Sequence, residues 1–176
     1  MIEQDTIKLL RECDAGAKMG VASIGDVLGY VKSDSLKQLL SNSKNAHESI
    51  GEEIRGHLNR FHDEGKDPNP VSETMSHMMS DMKLVMHKSD HTVADLMTDG
   101  CNMGVKSLSR YLNEYAAADE VSKNIAQKLI ALEERLGQDM RLCSKFDELS
   151  IAEFDVATPE HMGMRVRDNC AEENIK

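Results

Sequence analysis

Residues 90–118, DHTVADLMTDGCNMGVKSLSRYLNEYAAA, decide the fold. Apolar and small residues recur through this stretch at steps of three and four, which is the spacing of one face of an amphipathic helix. They are Val93, Met97, Cys101, Gly104, Leu108, Leu112 and Tyr115. Asp90 is predicted to be the N-cap of this helix. Gly100 and Gly104 each cost a helix about 1 kcal/mol against alanine, so we expect neighbouring helices to approach closely there.

The same spacing continues in other segments of the chain. It predicts helices over residues 3–31 and 35–64, a shorter helix over 71–87, and a last helix with Asp119 as its N-cap that runs to about residue 147. The link around Ser33 and Asp34 is short, with one of these two residues as the N-cap of the second helix, so the first two helices should form an antiparallel hairpin. The apolar spacing is lost after residue 147, which divides the chain into a bundle domain, 1–147, and a C-terminal tail, 148–176.

Composition limits the classes of partner. The 176 residues carry a formal net charge of −10, which argues against binding to the phosphates of nucleic acid or to an anionic membrane surface. No apolar run reaches the roughly 20 residues that span a bilayer, and the first residues do not resemble a signal peptide, so a cytoplasmic location is predicted. The four cysteines form no CxxC pair and are expected to be reduced and buried.

Ionisable side chains lie on or beside the predicted apolar faces. Dinuclear metal sites in helical bundles use a carboxylate from each of two helices and a Glu-x-x-His motif from each of the other two. Here Glu53 and His57 are four apart, and Glu133 has Leu136 where that motif needs histidine. The spacing therefore predicts no complete dinuclear site. Three alternatives remain: a single cation held by Asp14, Glu53, His57 and Glu133, a small hydrogen-bonded polar cluster, or simple exposure to solvent.

The methionines and the cysteines bear on two other chemistries. Met78, Met82 and Met86, with His87 and His91, have the i, i+4 spacing that could gather Cu(I), although methionines at helical spacing are typical of a packed core. No nucleophile motif or phosphate-binding loop is present. Cys101 is not predicted to be a nucleophile, because nearby aspartates raise a thiol pKa.

The chain resembles the ferritin-like four-helix bundles over residues 3–147, and more narrowly their uncharacterised bacterial members. The features that carry the resemblance are the two helical hairpins, the short helix after the break at 65–70, the polar groups on the inner faces, and the segment DGCNMGVKSLSRYLNEY at 99–115. The resemblance implies that Asp14 stands for the first-helix carboxylate and that Glu53 with His57 approximates the second-helix pair. Asn102 occupies the third-helix carboxylate position, and Glu133 lacks its histidine.

The predicted fold class is an all-α, ferritin-like four-helix bundle of two antiparallel helical hairpins, with a short crossover helix and a C-terminal extension. The predicted function is that of a non-enzymatic cytoplasmic protein that acts through association, as a homodimer or larger homo-oligomer, with no cofactor. The alternative is a ferritin-like protein that binds iron or manganese. Its metal ligands would be Asp14, Glu53, His57, Asp99 and Glu133.

Overall fold

A computed structural model of the protein describes residues 2–67 and 89–154, with side chains up to residue 143 in the second range. Four long helices account for nearly all of these residues, and they contain no β-strand. The helices are α1 (Ile2–Leu28), α2 (Asp34–Leu58), α3 (Asp90–Glu114) and α4 (Glu120–Phe154), and a single 3-10 turn, Asn59–Phe61, follows α2. The prediction of an all-α protein is confirmed for the described part of the chain.

The helix bounds differ from the predicted ones by a few residues. The helices predicted over 3–31, 35–64 and 90–118 end earlier, at Leu28, Leu58 and Glu114, whereas α4 continues beyond residue 147 to Phe154. The short helix predicted over 71–87, with its methionine row and His87, lies outside the described residues, as do residues 155–176. The division into 1–147 and 148–176 stays a prediction.

Two of the predicted N-caps are present. The Ser33 hydroxyl accepts a hydrogen bond from the backbone N–H of Leu36 at 3.4 Å, so Ser33 rather than Asp34 caps α2. The carboxylate of Asp119 accepts from the backbone N–H of Ser122 at 2.7 Å. Each cap satisfies a backbone donor in the first turn that has no partner inside the helix.

The prediction that Asp90 is the N-cap of α3 is wrong. Ser89 has the extended backbone that a cap requires, and its hydroxyl accepts from the N–H of Thr92. Asp90 is already helical, and its two carboxylate oxygens accept from the backbone N–H groups of Lys32 and Ser33, each at 2.7 Å. Asp90 therefore joins the start of α3 to the connection between α1 and α2.

Contacts between distant residues relate the ends of the helices. The hydroxyl of Thr6 accepts from the backbone N–H of Asp119 at 2.9 Å, which places the start of α1 beside the start of α4. The guanidinium of Arg11 pairs with Asp63 just after α2, at 2.6 Å. The far end of α1 lies beside Asp90 at the start of α3. The most extensive helix contacts are those of α1 with α2 and of α3 with α4.

The buried apolar residues form two separate clusters. The first comprises Leu9, Leu10, Cys13, Ala17, Ile54, Leu58, Leu108, Ala118, Ile125, Ala126 and Leu129. The second comprises Ile24, Val27, Val31, Leu36, Leu40, Val93, Ala94, Met97, Cys101, Leu136 and Met140. Between the two clusters lie the buried side chains of His47 on α2 and Glu133 on α4. We call this level of the bundle, with Gly20 on α1 and Gly104 on α3, the polar layer.

The described cysteines agree in part with the expectation of buried thiols. Cys13 and Cys101 are buried thiols, and Cys143 is half-buried. Burial, together with the neighbouring charges of Glu12 and Asp14, raises the pKa of Cys13 to about 12. Such a thiol stays protonated at neutral pH and behaves as a small apolar side chain.

Within the two described ranges, no helix carries an apolar stretch long enough to cross a bilayer.

Candidate functional site

All four helices contribute one residue to the polar layer between the apolar clusters. The imidazole Nε2 of His47, on α2, lies 3.1 Å from Oε1 of Glu133, on α4. His47 is 0% exposed and Glu133 is 9% exposed, so the pair lies inside the bundle. Gly20 on α1 and Gly104 on α3 face it. A buried ionisable pair of this kind is stable only when its polar atoms are hydrogen-bonded.

The two glycines are required by the volume of the pair. A Cβ at position 20 would lie 2.5 Å from Cδ2 of His47, closer than real Cβ atoms come to their neighbours. A Cβ at position 104 would lie 3.2 Å from Oε1 of Glu133. The expected close approach at Gly104 is therefore to a carboxylate. A second close contact of α3 with α4 occurs one turn away, where a Cβ at Gly137 would lie 3.2 Å from Cβ of Cys101.

The hydrogen bonds of His47 fix the number of protons in the pair. Its Nδ1 lies 2.9 Å from the backbone carbonyl oxygen of Ser43, and because a carbonyl can only accept, Nδ1 must carry a proton. The contact between Nε2 and Glu133 then needs a second proton, either on the imidazole or on the carboxyl group. In both arrangements the His47–Glu133 pair is neutral as a whole.

The electrostatics of the two buried groups agree with this assignment. Burial by itself lowers the pKa of His47, but the hydrogen bond and charge of Glu133, with the Ser43 carbonyl, raise the pKa above its usual value. Burial, followed by the charge of Glu133 and a hydrogen bond to it, raises the pKa of Cys101 far above the range of a reactive thiol. Cys101 therefore stays protonated and is not a nucleophile.

A cavity of about 330 Å³ opens beside the pair, between α1 and α3. Its wall includes small residues, which leave this space free of side chains: Ala15, Gly16, Gly20, Gly100, Gly104 and Ser107. Met19, Met97 and Met103 supply flexible apolar surface. His47 and Glu133 are the buried polar residues in its wall, and Ser23 and Ser107 line it at half-buried positions. The volume falls at the lower end of the range for sites that bind small molecules.

Charged side chains lie at one end of this cavity. Lys66 and Glu12 both line it and form an ion pair in which Nζ of Lys66 lies 2.7 Å from Oε1 of Glu12. Arg110 also lines it, with its guanidinium over the ring of Tyr111 at 4.7 Å from the ring centroid. The charged end and the neutral, buried His47–Glu133 pair therefore give one cavity two different polar environments.

A second, larger depression of about 710 Å³ lies between α2 and α4. Exposed residues such as Gln38, Asn42 and Arg135 line it. Its one buried polar side chain is Ser43, whose hydroxyl has no hydrogen-bond partner among the described residues. Because it contains no buried ionisable group, it carries less chemistry than the cavity between α1 and α3.

Asp14, the first predicted metal ligand, holds a backbone segment in place. Its Oδ2 is 2.9 Å from Nζ of Lys18 and accepts from the backbone N–H of Lys66 at 3.0 Å, while Oδ1 has no partner among the described residues. Gly65, just before Lys66, has a φ of +84°, a conformation that favours glycine. A Cβ there would also collide with the Asp14 carboxylate. Asp14 thus fastens the chain after α2 to α1.

The other predicted ligands do not gather into one metal-binding group. Glu53 forms an ion pair with Lys128, with Nζ 2.8 Å from Oε1. His57 is half-buried near the end of α2, and Asp99 is exposed on α3. Only Glu133 belongs to the polar layer, where its partner is His47, a residue outside the predicted set.

These placements do not fit an iron or manganese centre. Lysine ammonium groups neutralise the carboxylates of Asp14 and Glu53, and a hard dication needs several oxygen or imidazole ligands pointing at one position. Among the described residues, no group of three or more histidine, cysteine, aspartate or glutamate side chains could hold a metal ion.

The sequence contained one usable signal for the residues that it missed. His47 occupies the apolar face of α2 together with Leu36, Leu40 and Ser43, so a buried histidine could be expected there. No spacing within one helix shows that its partner comes from α4. Gly16 and Gly20 carry no pattern that separates them from an ordinary small residue in a packed helix.

Comparisons of the chain with protein-family models, with curated proteins and with solved structures find no match. The function must therefore be argued from the site itself.

Proposed function

We propose that this protein binds a small, largely apolar molecule in the cavity between α1 and α3. The observation that carries the proposal is the position of the cavity, inside the bundle and directly beside the buried His47–Glu133 pair. Sites for small molecules combine an apolar wall with a few placed polar groups, and helical bundles form such sites between their helices.

The composition of the cavity wall supports this proposal. Gly16, Gly20, Gly100 and Gly104 line it from the interiors of two helices, where each glycine costs about 1 kcal/mol against alanine. Gly20 and Gly104 make room for the polar pair. Gly16 has no such neighbour, since a Cβ there would meet Leu129 and Leu108 at ordinary distances of 3.7 and 3.8 Å. The absent side chain at position 16 therefore leaves volume for a ligand.

The test uses two fluorescent dyes with one skeleton, N-phenyl-1-naphthylamine, which is neutral, and its sulfonate, 8-anilino-1-naphthalenesulfonate. The proposal expects saturable binding of at least one dye with one site per chain. Gly16→Leu, which fills the cavity, should weaken that binding at least tenfold. Gly25→Leu is the matched control, because Gly25 lies on the same helix with nothing within 4 Å of its Cβ position. The proposal fails if neither dye binds, or if both leucine variants bind as the unaltered protein does.

A ferritin-like arrangement of two antiparallel hairpins is part of the proposal. The contacts of Arg11 with Asp63 and of Asp90 with Lys32 support it, because they put the end of α2 and the start of α3 at opposite ends of α1.

Association as a homodimer or larger homo-oligomer, and a cytoplasmic location, stay predictions from the sequence. The large apolar side chains that are exposed in the described residues are Ile2, Tyr30, Met103, Val121 and Leu142. Light scattering at micromolar concentration, with and without a chelator, tests the association: a dimer is expected in both, and a monomer would contradict it.

A further inference from the structure

We infer that the ligand of this cavity is an uncharged molecule of two or three rings, with one N–H or O–H group that it donates to the Glu133 carboxyl group. The inference rests on the proposed function and names the chemical class of the ligand. It follows from the proton count of the polar pair, the remaining acceptor capacity of Glu133, and the size and wall of the cavity.

The first step is the charge of the inner wall. Because the Ser43 carbonyl holds a proton on Nδ1 of His47, the pair shares one further proton and is neutral. A ligand anion placed against it would be buried without a counter-charge, which is costly in an apolar site. A ligand cation could pair with Glu133 only if the shared proton left, and the hydrogen bond to His47 would be lost with it. The inner wall therefore selects a neutral ligand.

The second step is the hydrogen-bonding capacity of Glu133. A carboxylate can accept about four hydrogen bonds, whereas the hydrogen bond described for Glu133 is the one with His47. Glu133 remains 9% exposed and lines the cavity. A donor on the ligand can therefore reach an oxygen with unused capacity, and an acceptor cannot make the same bond.

The third step is size and surface. An apolar cavity of about 150 Å³ takes benzene, so a cavity of about 330 Å³ has room for two or three rings. Met19, Met97 and Met103 line it, and thioether sulfur makes favourable contacts with aromatic rings. A flat aromatic molecule fits this wall better than a branched polar one.

The charged end of the cavity does not change the selection. Lys66 is already paired with Glu12. Arg110 is exposed and lies over Tyr111, where water screens its charge. An anionic ligand could be attracted to this end, but its charge would remain outside the apolar interior. Its rings would then enter the cavity less deeply than those of a neutral ligand.

The two dyes test the charge. N-phenyl-1-naphthylamine is expected to bind at least tenfold more tightly than its sulfonate. Gly16→Leu should abolish this tight binding of the neutral dye, and Gly25→Leu should preserve it. Sulfonate binding that is equally tight or tighter, and equally sensitive to Gly16→Leu, overturns the inference while supporting the proposed function. If neither dye binds, the proposed function fails and the inference fails with it.

Phenyl 1-naphthyl ether, in which an ether oxygen replaces the N–H group of the neutral dye, tests the donor. In competition it should bind with a dissociation constant about five- to tenfold higher than that of the amine, because that ratio corresponds to the loss of one hydrogen bond in a buried site. Equal competition overturns the donor part of the inference.

A double variant, His47→Leu with Glu133→Met, tests the acceptor. Replacing a buried ionic pair by apolar residues of similar volume commonly preserves the fold. The preference for the amine over the ether should then fall to unity, and circular dichroism at 222 nm verifies that the variant is folded. A folded variant that keeps the preference shows that Glu133 is not the acceptor. If the double variant does not fold, Glu133→Gln is measured instead. Because the glutamine carbonyl can still accept a hydrogen bond, this variant should keep the preference for the amine over the ether within about threefold. Loss of that preference overturns the assignment of Glu133 as the acceptor.

Discussion

The fit of Gly20 against His47 gives the sharpest test of the polar layer. Alanine at a helix-interior glycine is normally stabilising by about 1 kcal/mol. At position 20, however, the added Cβ would lie 2.5 Å from the imidazole. A shift of the buried ring away from the new Cβ would break its hydrogen bond to Glu133. The same substitution at Gly25, with nothing within 4 Å, should show only the helix-propensity gain.

The expected magnitude follows from three contributions. Overpacking a filled core costs about 1–3 kcal/mol, and loss of a hydrogen bond to a charged group costs about 1.5–3 kcal/mol. Subtracting the gain of about 1 kcal/mol in helix propensity leaves Gly20→Ala destabilised by about 1.5–5 kcal/mol. A central value of about 3 kcal/mol lowers the Tm of a chain of this length by about 6–12 °C.

Urea denaturation followed by circular dichroism at 222 nm measures both variants. Gly25→Ala should raise the midpoint slightly, and Gly20→Ala should lower it with an unchanged slope, since the slope reports the surface exposed on unfolding. If Gly20→Ala is as stable as Gly25→Ala, His47 does not pack against α1 as described, and the polar layer is wrong.

Three further perturbations test other parts of the structure. Gly65→Ala should lower the free energy of unfolding, measured in urea, by about 2–4 kcal/mol. A left-handed backbone costs a non-glycine residue about 1–2 kcal/mol, and the new Cβ meets the Asp14 carboxylate and loosens its hydrogen bond to the Lys66 N–H. A stability within about 0.5 kcal/mol of the unaltered protein would contradict that contact. The raised pKa of His47 contributes stability that is fully present below the unfolded pKa of 6.5 and is lost as the pH rises through the higher folded pKa. The urea midpoint should therefore fall as the pH rises above 6.5, and this fall should disappear in His47→Gln. A urea midpoint of the unaltered protein that does not change with pH argues against the shared proton. Asp90→Ala removes two hydrogen bonds to the backbone after α1 and should lower the free energy of unfolding by about 1–3 kcal/mol. The control Asp99→Ala, at an exposed position on the same helix, should change it by less than about 0.5 kcal/mol. Equal effects of the two substitutions would refute the role of Asp90.

The helices were predictable because their signals are local. Spacing of apolar residues located each described helix to within a few residues, and Ser33 and Asp119 were recognisable as caps from their position before a periodic segment. Asp90 was misplaced because two consecutive residues, Ser89 and Asp90, can both serve as caps. The choice between them depends on a contact with the connection after α1, which no local pattern contains.

The candidate site was predictable only in part because it depends on contacts between helices. Glu133 was recognised as an ionisable residue at the edge of an apolar face, and it does lie in the interior. Glu53 and His57 share one side of α2, but a small rotation of that helix decides which side chains enter the core. Glu53 meets Lys128 at the surface, whereas His47 enters the core. Spacing along one helix does not fix that rotation.

The division of the apolar interior into two clusters has a consequence for how the protein opens. Cooperativity between the halves of a core passes through packed side chains, and here Gly20, Gly104, the His47–Glu133 pair and a cavity lie between the halves. Native-state hydrogen exchange should therefore resolve two protected groups of amides, one around Leu10 and Ile125 and the other around Ile24 and Leu136. Each end of the molecule would then fluctuate as its own foldon, and a molecule that enters between them would join the two into one unit.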